Sequence, residues 1–285
     1  MTDRPHTAFA FYWRNERTIL GLAMILLILL FWEGLSRGWW ADLLHPLFGA
    51  SAEKLRVRPI FISSPTAVAR KAYELYFVTG GIWRHLATSG LEIAVGLGAA
   101  IIIGIPLGLW AGRNRLASYA LEPFMSAFNA TPQVALLPLV ILWVGTGFAC
   151  RALIIFMLTI LPLLINAHAA VQTVDPRLQR VARSFSSSEW RLFTTIILPS
   201  SVPFLLAGLR LAIGRAMVGV VVGELYGSAI GIGIMINKAG VLFQTDTVFV
   251  GVFTIVAAGL CLTELVRHIE KRVQIWRPDA AEQSS

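Results

Sequence analysis

The stretch DPRLQRVARSFSSSEWRLFTTIILP, residues 175–199, lies between two long apolar blocks and is itself amphipathic. Asp175-Pro176 reads as a helix start: aspartate accepts from free backbone N–H groups, and proline suits the first helical position. Leu178, Val181, Ala182 and Phe185 then recur at helical spacing on one face, with Arg177, Arg180 and Ser184 on another. Ser186-Ser187-Ser188-Glu189 interrupts the pattern, and Ser186 and Glu189 have the spacing of a capping box. A second short helix is expected from there, with Trp190, Phe193 and Ile197 as its apolar face. Leu198-Pro199 ends the unit and opens the next apolar block. Two apolar faces on a loop need a cover, which is either the bilayer and the protein's own surface or another subunit.

The blocks on either side decide the class. Of 285 residues, 56% are hydrophobic and 14% charged, against about 25% charged in soluble domains. So few charges cannot cover so much apolar surface in water, and long apolar runs are the mark of membrane spans. Spans are expected at about 19–35, 89–110, 123–144, 153–170, 199–225 and 248–266. The chain therefore reads as an all-α polytopic membrane protein with about six transmembrane helices. Its organisation divides into an N-terminal segment (1–17), a first span (18–36), an external loop (37–87), a membrane core (88–268) holding the connecting loop 172–198, and a tail (269–285). Glu33-Gly34-Leu35-Ser36 is no convincing cleavage site, so the first apolar run is expected to stay as a helix. Within the external loop, Ser64 to Phe77 reads as an amphipathic helix on the membrane surface, with Val68, Ala72, Leu75 and Tyr76 sharing a face.

The net charge of +8 has no nucleic-acid motif behind it; lysines and arginines gather in loops and at helix ends, where they orient a chain in the bilayer. The N-terminus, the second and fourth loops and the C-terminus together carry more of them than the other loops, so both termini are expected to be cytoplasmic. Cys150 and Cys261 have neither metal nor disulfide spacing and read as packing residues. None of the four lysines follows a glycine, so the phosphate-binding loop of an ATPase is missing, and no catalytic motif stands in its place. His168, near a span end, reads as structural.

Inside the spans, Gly96, Ala100, Gly104 and Gly108 form a stripe of small residues that admits another helix closely. Asn129, Thr131 and Gln133 stand in the third span with Pro132 and Pro138, and Arg210, Arg215 and Glu224 in the fifth. Polar groups at such depth are candidates for a solute path, with arginine suited to an anion; a structural Arg–Glu network fits the same residues. The Gly-rich segment from Gly227 to Gly233 reads as a flexible loop or a re-entrant turn.

Residues 175–199 resemble the "EAA" loop of ABC importer permeases: E-A-A, three residues, G, nine residues, I-x-L-P. Arg180-Val181-Ala182 stands at E-A-A, Ser186 at the glycine, and Ile196-Ile197-Leu198-Pro199 at the end, with no gap. Arg180, Val181 and Ser186 depart from the pattern. The surroundings, about residues 60 to 268, resemble the nitrate, sulfonate, taurine and bicarbonate branch, through Ser63 to Val68, Leu136 to Gly145, Val174 to Leu178, and Gly208 to Ala216. The resemblance implies a type I ABC importer permease fold in the bacterial inner membrane. It implies that Leu178, Arg180, Val181, Ala182, Arg183, Phe185, Ser186, Ser187, Trp190 and Pro199 couple to cytoplasmic ATP-binding subunits. ATP and magnesium would be used by those subunits, with no cofactor on this chain. A second permease copy and a periplasmic or lipid-anchored solute-binding protein are the other implied partners. The solute would be a small organic or inorganic anion such as a sulfonate, taurine or nitrate. A vitamin-precursor permease and a gradient-driven secondary transporter are the alternatives.

Overall fold

The computed structural model describes residues 7–48, 58–226 and 228–273. The expected N-terminal segment and tail lie partly outside the described residues, as does Gly227 of the Gly-rich segment. Every element among the described residues is helical. Helices α1 (Thr7–Arg37), α5 (Gly81–Arg113), α8 (Phe148–Gln172) and α13 (Thr245–Val273) each carry a stretch long and apolar enough to cross a membrane, and so does the run Glu189–Leu225. The third expected span differs. It is two helices, α6 (Arg115–Ala130) and Gln133–Val144, the latter a 3₁₀ turn leading into α7 (Leu137–Val144), bent by 89° at Thr131-Pro132. Pro132 lacks the N–H that would continue α6 and disfavours a helical residue before it, so Thr131 is extended, at φ −76° and ψ 131°.

The chain divides into two compact units. In the smaller one (residues 1–80 and 238–250), the expected surface helix is α4 (Pro65–Tyr73), continued by one π turn to Val78. Ser64 caps it, accepting from Ala67 N, and Val68 is buried. Glu33 fastens this helix to α1: its carboxylate accepts from Thr66 N (3.2 Å), Thr66 Oγ1 (2.8 Å) and Arg37 Nε (2.5 Å). Trp32 Nε1, from the residue just before, donates to Ile62 O at 3.1 Å.

In the larger unit (81–237 and 251–285), α5, α8 and α11 (Leu198–Leu225) build the core around Ile93, Leu97, Ile155, Leu163, Ile213 and Val220. The small-residue stripe is the seam between α5 and α8. A Cβ on Gly96 would stand 2.6 Å from Ala152 O, and one on Gly108 2.5 Å from Leu164 O. Gly112 extends the seam by another turn, where a Cβ would meet His168 O at 2.7 Å. Gly108→Val is therefore expected to separate the two helices, costing at least about 1–3 kcal/mol and read as a loss of monodisperse protein in fluorescence-detected gel filtration. α8 is the central helix, with 61% of its apolar window buried, whereas the corresponding windows of α1 and α13 are 11% and 17% buried. Their outward leucines, isoleucines and phenylalanines suit lipid contact, because acyl chains are as apolar as the side chains.

Candidate functional site: the connecting loop and a polar break

Between α8 and α11 the chain makes α9 (Pro176–Ser184) and α10 (Glu189–Leu192). Asp175 Oδ1 accepts from Arg177 N at 2.7 Å, as expected of the cap. α9 ends in a Schellman turn: Ser187 N donates to Ala182 O (3.3 Å) and Ser186 N to Arg183 O (2.9 Å), with Ser186 at φ +54°. That is the position where the resembled pattern has glycine, and the left-handed backbone is its physical reason. A side chain there costs about 1–2 kcal/mol. Ser186→Gly is thus expected to stabilise the loop by about 1 kcal/mol, measurable as slower amide exchange over residues 182–188.

The expected capping box is corrected. Ser188 caps the second helix, accepting from Arg191 N at 3.3 Å, because Ser186 is committed to the left-handed turn before it. Nor does the unit end at Leu198-Pro199. α10 runs through a π turn (Phe193–Ile197) directly into α11, giving one helix from Glu189 to Leu225. The wider turn accommodates Pro199, whose ring cannot donate to the carbonyl four residues back.

The apolar residues of the loop divide between two surroundings. Leu192 and Ile197 are buried with Leu109, Ala167, Val171 and Val174, and Ala182 and Phe193 pack against them. Leu178, Val181, Phe185 and Trp190 stand 51%, 56%, 81% and 73% exposed. Trp190 keeps the expected ring contact with Phe193, centroids 6.0 Å apart, but stands open where Ile197 is buried. Glu189 carries a cross-link the sequence did not suggest: it receives Arg113 Nη2 at 2.5 Å and Arg183 Nε at 3.5 Å, while the Arg113 guanidinium lies over the Phe193 ring. Arg177 and Arg180 are exposed and, among the described residues, form no ion pair, so the open apolar patch has a basic rim.

A second polar feature sits at the bend of the third span. Thr131, Gln133 and Arg215 line a cleft of about 310 Å³ with Val134, Leu158 and Val218. Gln133 is 4% exposed, and neither its Oε1 nor its Nε2 has a hydrogen-bond partner. An unmet buried amide group costs about 1–3 kcal/mol.

The other intramembrane candidates lie elsewhere. Asn129 is exposed on α6. Arg210 on α11 pairs with Glu270 on α13. Glu224 is wholly buried: it accepts from Ser89 Oγ and from Gly233 N, both at 2.5 Å, while Ser89 Oγ accepts from Ile232 N at 2.9 Å. Glu224 and Ser89 thereby cap the first turn of α12 (Ile232–Val241). Gly231, at φ +151°, leaves no room for a Cβ against the Glu224 carboxylate. The Gly-rich segment is thus held at Gly231–Gly233 by buried hydrogen bonds. Nearby on α5, Glu92 pairs with Arg151 of α8 at 2.6 Å. His168 Nε2 lies 2.8 Å from Ser118 Oγ of α6.

Comparison with known proteins agrees with this arrangement. Residues 104–275 match the family described as the inner membrane component of binding-protein-dependent transport systems. The chain is 30% identical to a taurine transport system permease protein of Escherichia coli over 77% of its own length and 82% of that protein's. It is 31% identical to a putative aliphatic sulfonates transport permease protein of Bacillus subtilis, over 76% and 78%. It is also 32% identical to a riboflavin transport system permease protein of Chloroflexus aurantiacus, over 92% of each chain. Among solved structures, a chain of the MetNI methionine ABC transporter in inward-facing conformations superposes with a TM-score of 0.53 at 15% identity, covering 70% of this chain and 97% of that one, which shows a shared fold. The chain therefore belongs to the family of inner membrane components of binding-protein-dependent transport systems, as a multi-pass ABC importer permease and not an enzyme.

Proposed function

We propose that this protein is the membrane-spanning subunit of an ATP-driven importer in the bacterial inner membrane, and that residues 175–199 dock into a cytoplasmic ATPase. The observation that carries this reading is the division of the loop. One side is packed into the permease, and the other presents Leu178, Val181, Phe185 and Trp190 openly. An exposed aromatic patch ringed by arginines is what a docking surface requires. Arg180, at a position where the resembled pattern has glutamate, calls for an acidic lining in the partner's cleft. Because α10 is continuous with α11, and Glu189 is tied to the end of α5 by Arg113, closure of the ATPase would move both spans. ATP and magnesium act on the ATPase, a second permease copy completes the pore, and a binding protein delivers the solute. Both termini lie on the cytoplasmic side in this arrangement.

The solute is a small anion, a sulfonate, taurine or nitrate. The names of two relatives and the arginine in the cleft support that class. A vitamin-precursor permease is the second reading, favoured by the riboflavin relative's longer match. A gradient-driven carrier would need a buried acid at its disposal, whereas Glu92 and Glu224 are both engaged in structural contacts. The test is co-expression of the chain with its ATPase and binding protein. A stable permease–ATPase complex that takes up the solute only with ATP is expected; purification without an ATPase and uptake driven by an ion gradient would overturn the proposal.

A further inference from the structure

The bend at Thr131-Pro132 turns one span into the wall of a cleft, and the two polar groups there are unequal in what they demand. Arg215 offers a planar fork of donors and, among the described residues, has no carboxylate partner. Gln133 offers donors at Nε2 and an acceptor at Oε1, both unmet and both buried. A bare anion satisfies Arg215 and Nε2 and leaves Oε1 without a donor. Val134, Leu158 and Val218 supply an apolar wall that suits a short methylene chain. The volume, about 310 Å³, is at the small end of ligand sites.

We propose that this cleft is a solute-binding site within the permease, and that it takes a small anion with a hydrogen-bond donor close to its charged group: an amino- or hydroxy-substituted sulfonate or carboxylate. Arg215 holds the anionic oxygens, Gln133 Nε2 donates to them, and Gln133 Oε1 accepts from the ligand's own ammonium or hydroxyl. The permease then discriminates among anions itself, after the binding protein has released them. The inference rests on the importer reading for its biological sense, but its test uses neither ATP nor uptake, so the two fail separately.

The full chain is placed in lipid nanodiscs with Cys150→Ala, Cys261→Ser and a reporter on the cleft wall, Val218→Cys. Its labelling is timed with an anionic reagent, 2-sulfonatoethyl methanethiosulfonate, and a cationic one, 2-trimethylammonioethyl methanethiosulfonate. The anionic reagent is expected to react about tenfold faster relative to a free thiol, and Arg215→Gln is expected to bring the ratio near unity. Taurine is expected to slow labelling at concentrations at least about tenfold below ethanesulfonate, which lacks the donor. Gln133→Met is expected to abolish that difference while both still protect. Gln133→Asn, which keeps the amide but shortens its arm, is expected to do the same should the methionine variant not fold. A labelling ratio indifferent to Arg215→Gln, or a taurine preference that survives at Gln133, would overturn the assignment. Protection by neither compound would mean a cleft that holds only water, which also overturns it.

Discussion

Phe185→Asp is expected to abolish ATP-dependent uptake, lowering it by about 100-fold or more, while the chain still folds and inserts. Phe185 closes α9 just before the left-handed turn at Ser186 and is 81% exposed, so nothing in the permease core depends on its ring. An aromatic anchor seated in a partner's pocket is worth about 2–4 kcal/mol, and a carboxylate there adds an unpaired buried charge. The measurement is the ATPase retained by the purified variant, followed by uptake in proteoliposomes. Uptake within about twofold of the unsubstituted protein would sink the docking role of the loop, since a factor of two is worth under half a kcal/mol. Ala182→Arg is a weaker test than the sequence implies. Ala182 packs against Leu192 and Ile197, so an arginine there disturbs the permease itself as well as any interface.

Arg151→Met is expected to have the largest effect on stability. It removes the ion-pair partner of Glu92, a carboxylate with no exposed surface whose Oε2 already lacks a hydrogen bond. Breaking such a pair from one side costs about 3–5 kcal/mol, enough to deplete folded protein from the membrane. Because the cost lies in the stranded charge, Glu92→Leu in the same chain is expected to restore most of the lost melting temperature. A single Arg151→Met that melts as the parent does would show that the pair contributes nothing to the fold.

The spans were legible because composition and long apolar blocks need no tertiary information, and the family assignment confirms the class read from them. The helix that starts at Ser64 and the cap at Asp175 were legible for the same local reason: each rests on groups within three residues. What depends on distant partners was not. Glu224 finds Ser89 from 135 residues away, and Arg113 reaches Glu189 across 76, so their purposes as cap and tie had no sequence signal. At Ser186 two local rules competed. The capping-box spacing and the left-handed turn cannot both be satisfied by one residue, and the turn prevailed, passing the cap to Ser188. Pro132 marked an interruption of the third span, but a proline alone does not fix a bend of 89°. Of the six polar residues read as lining a path, the structure gathers Thr131, Gln133 and Arg215 around one cleft and sets Asn129, Arg210 and Glu224 elsewhere.

The glycine seam between α5 and α8 has a mechanical meaning. Where the α5 glycines let the α8 backbone and Cβ atoms come this close, only a thin layer of side chains is left to shear, and the pair behaves as a single stiff plank. Only two residues along the chain from where α5 ends, α6 begins a limb that is severed two residues before Gln133, at a joint without a continuous ladder of helical hydrogen bonds. Strain delivered to such a frame concentrates at its softest joint. The elbow at Thr131-Pro132 is therefore where a displacement of the plank would be taken up as rotation, carrying the Gln133 amide with it.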